Sequence, residues 1–257
     1  EFNTLIDWLL KHPDSTGKPP VFQLNHPALG GPPNKQIGKK EYGRDDFGND
    51  EGWLNHIGGV ATLIELLNGE PPEKLEGLRS PQIMEEFFFR YLQLGFCVAP
   101  TCDQDNHRPN WGSATESRTG IIAPSLTTKD LLDAMRARHV YATEDKNLKI
   151  VFRVNGQLCG GIFPSPPGAL SVDYLIADEN EPDAEYTIDV FSGTVGGPLP
   201  RVIKSIAGKG NVAAGSIDGL RLDQDRQYLF FRITQAGEPP DRAWTAPVWV
   251  KVDASVR

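Results

Sequence analysis

The pattern of hydrophobic and polar positions changes its period about halfway along the chain. Up to about residue 147, short apolar runs typical of buried strands alternate with segments whose apolar residues recur at helical spacing. Beyond that point apolar and polar residues alternate one by one, as in half-buried strands. The pattern therefore predicts an α/β part with a mostly parallel sheet over residues 1–147, and an Ig-like antiparallel β-sandwich over residues 148–257.

In the first part, the predicted strands are 21–24, 60–67, 96–99 and 120–123, and the predicted helices are 2–10, 81–94 and 127–138. Ser80 and Thr127 are candidate N-caps, and Pro81 fits the first turn of its helix. Residues 30–50 are rich in Gly, Pro and charge, which predicts a long loop, and such loops are often functional.

In the second part, the predicted strands are 148–154, 170–176, 186–192, 202–206, 227–234 and 248–252. Asn155-Gly156 follows the first of them and is typical of a two-residue hairpin turn. Clusters of Gly, Pro, Asp and Asn separate the others.

The net charge of the chain limits the classes of partner that we expect. The formal net charge is −8 and the pI is near 5.2, so bulk electrostatics gives no reason to expect a nucleic-acid partner. A small phosphorylated substrate remains compatible, because a bound metal ion would supply local positive charge. No apolar run approaches the roughly eighteen residues of a membrane span, so we expect none.

The cellular compartment stays open from the sequence. The chain begins at Glu1 without a basic-then-apolar leader, and we interpret it as a fragment. A secreted or periplasmic location is favoured over a cytoplasmic one. Cys97, Cys102 and Cys159 match no zinc-binding spacing, and we interpret them as small apolar residues at strand ends rather than as a disulfide pair.

Candidate chemistry follows two of the predicted strands. His26 comes after the first, and Asp105 and His107 come after the third. On an extended backbone Asp105 and His107 would share a face, with Cβ atoms about 6.5 Å apart. Carboxylate and imidazole together suit Zn²⁺, Mn²⁺ or Fe. The alternative is an ordinary polar loop with Asx-turn chemistry and a surface histidine.

Three further polar residues each allow two interpretations. Arg118 is a candidate clamp for a phosphate group or the partner of a carboxylate. Glu65, among apolar neighbours in a strand, is a salt-bridged core residue by default, or a group that belongs to the site. Asp103 is an acceptor for an imidazole N–H or a turn residue. The chain contains no P-loop, dinucleotide fingerprint or G-x-S-x-G motif.

Several of these segments together resemble one family, the C-terminal half of the PHP (polymerase and histidinol phosphatase) superfamily, in the branch with an appended β domain. The likeness covers roughly residues 1–160. The matching segments are Phe-Gln-Leu-Asn-His-Pro at 22–27, Ile-Glu-Leu-Leu-Asn-Gly at 64–69, Asp-Asn-His at 105–107, Gly112 with Arg-Thr-Gly at 118–120, residues 131–145, and the last strand near 244–250.

The resemblance implies the C-terminal portion of a distorted (β/α)₇ barrel followed by the sandwich. It also implies a site with two or three divalent metal ions that hydrolyses phosphoesters. The family's late ligands fall on His26, Asp105 and His107. We therefore expect these three residues to bind metal, and Asp105 and Arg118 to serve catalysis.

The chain departs from the family at the early ligands. None of its histidines forms an H-x-H pair, and Asp103-Gln104 stand where the family has Gly and Ser. Two hypotheses follow. One is a metal-dependent phosphoesterase whose N-terminal ligands lie outside this chain, which alone would be nearly inactive. The other is a non-catalytic binding or structural module with a degenerate metal site. A half-barrel has open sheet edges, so we expect the missing half or a homo-oligomer to cover them.

Overall fold

The computed structural model describes residues 2–25, 27, 60–68, 82–105, 109–113 and 115–253. Within them the chain is mostly β-sheet with three helices, which are α1 (Phe2–Lys11), α2 (Glu85–Leu94) and α3 (Thr128–Arg136). None of the helices described is long and apolar enough to cross a bilayer. Of the predicted α/β and all-β architecture, a β-rich chain is therefore shown, and the (β/α)₇ barrel stays a prediction.

A four-stranded sheet forms the first layer. Its strands are β1 (Phe22–Leu24), β2 (Ala61–Asn68), β3 (Gln82–Ile83) and β4 (Ala99–Asp103). Leu63 and Ile64 of β2 pair with both β1 and β4, so these two strands flank β2, and both run parallel to it. β3 pairs antiparallel with the last two residues of β2. The prediction of parallel strands in this part is confirmed for β1, β2 and β4.

The two faces of this sheet differ in polarity. Because side chains alternate along a strand and paired residues share a face, Gln23, Glu65 and Thr101 lie on one side. Leu24 and Ile64 lie on the other, in an apolar core that also contains side chains of α2. Helix α2 therefore covers the apolar face, and the polar residues gather on the opposite one.

Two further sheets pack face to face. The smaller consists of β7 (Lys149–Val154), β8 (Gln157–Leu158), β10 (Gly168–Ala177) and β13 (Val212–Leu222). The larger consists of β5 (Arg118–Ile121), β6 (Val140–Thr143), β9 (Ile162–Ser165), β11 (Glu185–Thr194), β12 (Arg201–Lys209), β14 (Gln227–Gln235), β15 (Asp241–Thr245) and β16 (Val248–Val252). Phe152 and Phe231 meet across the interface with ring centroids 4.1 Å apart. Pairing is antiparallel except between β9 and β16.

Strands from before and after residue 147 pair with each other in the larger sheet. In the larger sheet, β6 pairs with β15, so that Thr143 lies opposite Ala243. Strand β5 pairs with β6 in turn. The Thr119 hydroxyl accepts from Cys102 N at 2.8 Å and donates to Cys102 O at 2.9 Å, which joins β5 to β4. Two strands from the first part of the sequence thus belong to the same sheet as the later strands.

A buried aromatic contact and a partly buried ion pair connect α2 to the larger sheet. Glu85, in the first turn of α2, accepts from Trp244 Nε1 at 2.6 Å and pairs with Arg232 at 3.2 Å. Phe88 of α2 meets Phe230 of β14 edge-to-face, with centroids 5.5 Å apart. All three aromatic side chains are fully buried. The apolar core of the first sheet is therefore shared with the larger sheet.

Several predicted elements are confirmed. Helix α3 begins after Thr127, whose hydroxyl accepts from Asp130 N, as the N-cap prediction requires. Asn155 and Gly156 both have positive φ, 49° and 77°, as expected for the hairpin turn between β7 and β8.

Other predicted elements have the wrong boundaries or were missed. The strand predicted at 96–99 lies at Ala99–Asp103, where β4 pairs with β2. The helix predicted from Pro81 begins at Glu85, because Gln82 and Ile83 pair with β2 instead. Strand β13 was not predicted at all. Residues 30–50 and the predicted cap at Ser80 and Pro81 lie outside the described residues.

We expect a fragment of residues 148–253 to be less stable than one of residues 115–253. The shorter fragment lacks β5 and β6, which leaves β15 as an open edge of the larger sheet. Urea unfolding followed by tryptophan fluorescence compares the two. Equal unfolding midpoints would contradict the view that the sheet depends on strands from before residue 147.

Candidate functional site

Polar side chains collect where β1, β2 and β4 end. Because the three strands are parallel, their carboxyl ends lie along one edge of the sheet, which we call the carboxyl edge. Asn25 follows β1, Asn68 ends β2, and Asp103 ends β4 with Asp105 two residues on. The carboxyl ends of parallel strands are where α/β proteins bind ligands.

A hydrogen-bonded bridge connects β1 and β4 at this edge. Gln23 Nε2 donates to Asp103 Oδ2 at 2.7 Å and to Asn25 Oδ1 at 2.8 Å. Thr101 Oγ1 also donates to Asp103 Oδ2, at 2.9 Å. Asp103 thus accepts hydrogen bonds from side chains of both β1 and β4. Whether Asp103 also accepts from an imidazole stays a prediction, because His26 and His107 lie outside the described residues.

Glu65 lies deeper on the same face of the sheet. Its side chain is 1% exposed, and Asn68 Nδ2 donates to Glu65 Oε1 at 2.5 Å. A carboxylate this far from water requires hydrogen-bond partners. Asn68, at the end of the same strand, is one such partner, so the carboxyl group of Glu65 lies close to the carboxyl edge.

Asp105 is the one predicted metal ligand within the described residues. Its side chain is exposed, and its backbone has a φ of 46°, a left-handed conformation that aspartate tolerates better than most residues. The chain therefore turns sharply two residues after β4. His26 stands in sequence between Asn25, which is exposed, and Pro27, which is buried.

Arg118 holds a loop in shape. Its guanidinium donates to the carbonyl oxygens of Gly112, Thr115 and Ser117 at 2.6 to 2.7 Å. Gln104 binds the same loop, since its Oε1 accepts from Gly112 N at 3.0 Å and its Nε2 donates to Thr115 O at 3.2 Å. Gly112 and Thr115 are thus each bound by both Arg118 and Gln104. A phosphate clamp at Arg118 stays a prediction.

The buried cysteines do not form a nucleophilic site. Cys97, Cys102 and Cys159 are free thiols, as predicted. Burial raises the pKa of Cys102 and of Cys159 to about 12. Both therefore stay protonated at neutral pH, and a thiol is a far weaker nucleophile than a thiolate.

The sequence interpretation missed a second group of acidic residues, at one end of the two packed sheets. Asp145, Asp178 and Glu181, here called the acidic cluster, place carboxylate oxygens within 4.8 Å of one another. Burial and the charge of Asp178 raise the pKa of both Asp145 and Glu181. The sequence signal was present but weak: Asp145 lies two residues after β6, and Asp178 directly follows β10.

The acidic cluster predicts a pH dependence in metal-free solution. A carboxyl group whose pKa is raised by folding binds more protons in the folded state than in the unfolded state. When ionised it lowers the free energy of unfolding, and this loss disappears as the pH falls and the group is protonated. Asp145 faces Asp178 and Asp241, whose charges add to the effect of burial. The free energy of unfolding of the native protein should therefore rise relative to that of Asp145→Asn as pH falls from neutral towards 3.8, the ordinary pKa of the group. Parallel curves from denaturant titrations at several pH values would contradict this expectation.

Comparison with known proteins gives no relative on which to base an assignment: no family model, curated protein or solved structure matches this chain.

Proposed function

We propose that the carboxyl edge of the parallel sheet is a divalent-metal site that hydrolyses phosphate esters, with His26, Asp105 and His107 as ligands. The observation that supports this most is the bridge from Gln23 to Asp103, which holds the ends of β1 and β4 together. His26 follows β1 by two residues, and Asp105 follows β4 by two. The two chain segments that carry the proposed ligands therefore leave the sheet at the same edge.

The residues present fit such an ion. One exposed carboxylate and two imidazoles are donors that Zn²⁺, Mn²⁺ and Fe accept. Asp103 and Glu65 place two more carboxyl groups near the same edge. When bound, the metal supplies an activated water and neutralises charge on the phosphoryl oxygens.

The chain's own residues would position the reaction. Asp105 would hold the ion with its exposed carboxylate, two residues after the end of β4. Arg118 and Gln104 keep the following loop in one shape. In this proposal the parallel sheet is part of a distorted (β/α)₇ barrel, and the side chains on its polar face line the barrel interior.

Metal-dependent hydrolysis of an aryl phosphate monoester and diester tests the proposal. We expect activity with Mn²⁺ or Zn²⁺ in the full-length protein and its loss with a chelator. The 257 residues alone should be nearly inactive, because their five histidines include no H-x-H pair to complete the site. Full activity in these residues alone would contradict the view that further ligands are needed. A full-length protein that binds metal without hydrolysing either ester would instead favour a non-catalytic module.

A further inference from the structure

We propose that the acidic cluster between the two packed sheets is a calcium-binding site, separate from the carboxyl edge. Its carboxylates come from two connections: Asp145 lies between β6 and β7, and Asp178 and Glu181 lie between β10 and β11. Each of these connections joins one sheet to the other. A single ion at this position would therefore hold the two sheets together at one end.

The chemistry of the oxygens selects the ion. Two ligands of one ion are separated by at most twice the metal–oxygen distance, about 4.8 Å for Ca²⁺, so the three residues can bind one ion together. One oxygen from each of Asp145, Asp178 and Glu181 falls within 4.8 Å of the others. The cluster contains no histidine or cysteine, and a set of hard oxygen ligands favours Ca²⁺ over Zn²⁺.

The charge of the cluster is not balanced by the side chains around it. In the part of the chain that the structure describes, no salt bridge reaches the three acidic residues. The neighbouring cations pair elsewhere: Lys146 with Glu116, Lys149 with Glu179, and Arg242 with Glu144. Three carboxylates, two of them buried, therefore face one another with no basic partner. A divalent ion would neutralise most of that charge.

Gln235, the last residue of β14, gives a second and independent indication. Its side chain is 2% exposed, and its Nε2 donates to Asp178 Oδ2 at 3.1 Å and to Glu181 Oε2. Its Oε1 is buried without a hydrogen-bond partner. With an ion bound between the carboxylates, a half-turn of the amide would direct Oε1 towards the ion as a neutral ligand.

Tyr186 gives a third indication from β11. Its side chain is 3% exposed, and its hydroxyl has no hydrogen-bond partner. It lies beside the cluster, because Tyr186 pairs across the sheet with Gln235, whose amide reaches Asp178 and Glu181. A buried hydroxyl without a partner is costly. A hydrated ion beside it would supply a water molecule as its partner.

Titration of CaCl₂ into chelator-treated protein tests the proposal. Isothermal calorimetry should show one site per chain, with Kd in the range of about 10⁻⁴–10⁻³ M that is typical of extracellular modules. At a calcium concentration near a hundred times Kd, the melting temperature should rise by at least about 5 °C. No binding heat and no rise in melting temperature up to ten times the top of that range would overturn the proposal.

Matched variants locate the ion. Glu181→Gln and Asp178→Asn should each lower calcium affinity at least about tenfold. Glu179→Gln is the control, because this neighbouring side chain is 72% exposed and pairs with Lys149. Glu181 is itself exposed, so its variant should fold even if Asp178→Asn does not. Unchanged affinity in Glu181→Gln, or equal losses in Glu181→Gln and Glu179→Gln, would overturn the assignment.

One further variant separates the two proposed metal sites. Asp105→Asn should leave the calcium-dependent rise in melting temperature unchanged, since Asp105 belongs to the carboxyl edge and the acidic cluster lies between the packed sheets. Loss of the calcium effect in Asp105→Asn would instead place the calcium at the carboxyl edge and overturn the proposal.

Discussion

Replacing Asp105 with Ala should lower kcat/KM for metal-dependent phosphoester hydrolysis by at least about 100-fold in the full-length protein. In the proposed site its carboxylate holds an ion opposite the charge that develops on the phosphoryl oxygens. Losing such an interaction typically costs about 3 kcal/mol or more of transition-state stabilisation. Replacing His26 with Ala should have an effect of the same order, because the imidazole has the same role. Initial rates at saturating Mn²⁺ measure both variants.

Two matched variants control for the loss of charge or of an imidazole alone. Asp218→Ala removes an exposed carboxylate from β13, and His12→Ala removes an exposed imidazole that stacks on Trp8 in α1. Neither should change kcat/KM by more than about twofold, which corresponds to about 0.4 kcal/mol. If His26→Ala retains full activity, the metal-site interpretation fails. If the control variants lose as much activity as Asp105→Ala, the loss does not come from the site.

Replacing Phe230 with Ala should lower the free energy of unfolding by about 3–5 kcal/mol, the usual cost of removing a large buried aromatic ring. Phe230 is fully buried in the core that α2 shares with the larger sheet. Its ring stacks on Phe191 with centroids 5.0 Å apart and meets both Phe88 and Phe89 at 5.5 Å. Its loss would therefore leave a cavity where the two layers meet.

Urea unfolding at constant pH measures this effect. Leu126→Ala is the control, because that side chain is 93% exposed and should change stability by no more than about 0.5 kcal/mol. A loss of less than about 1 kcal/mol in Phe230→Ala would show that the shared core contributes little. The helix and the larger sheet would then be stabilised independently.

Local signals predicted the elements that depend on nearby residues. Thr127 caps α3 through a hydrogen bond to a residue three positions on, and Asn155-Gly156 makes its own turn. The alternation in residues 149–154 reflects burial of one strand face, so it appears directly in the sequence. In each case the physical cause lies within a few residues of the element.

Elements decided by distant pairing were not predictable in the same way. Residues 99–103 include Thr, Cys and Asp and resemble a loop in composition, yet they form strand β4 because β2 lies beside them. Strand β13 is rich in Ala, Gly and Ser, which favour strands weakly, and it forms by pairing with β10. The place of β6 in the larger sheet depends on β15, far along the chain.

The two candidate sites also differ in how far the sequence could predict them. At the carboxyl edge, Asn25 directly follows the apolar run 21–24, so that part was predictable, whereas Asp103 ends a strand that the sequence placed at 96–99. The acidic cluster was not predictable, because Asp145 lies on one connection and Asp178 and Glu181 on another, and only the packing of the two sheets brings them together. Nothing in the spacing of these residues along the chain indicates their proximity.

The most direct measurement of the central claim is an anomalous difference map from a crystal of the protein grown with Zn²⁺ or Mn²⁺. The account predicts a peak at the carboxyl edge, about 2.0–2.2 Å from an imidazole nitrogen of His26, an imidazole nitrogen of His107 and a carboxylate oxygen of Asp105. His26, Asp105 and His107 facing in different directions, with no anomalous peak between them, would contradict it.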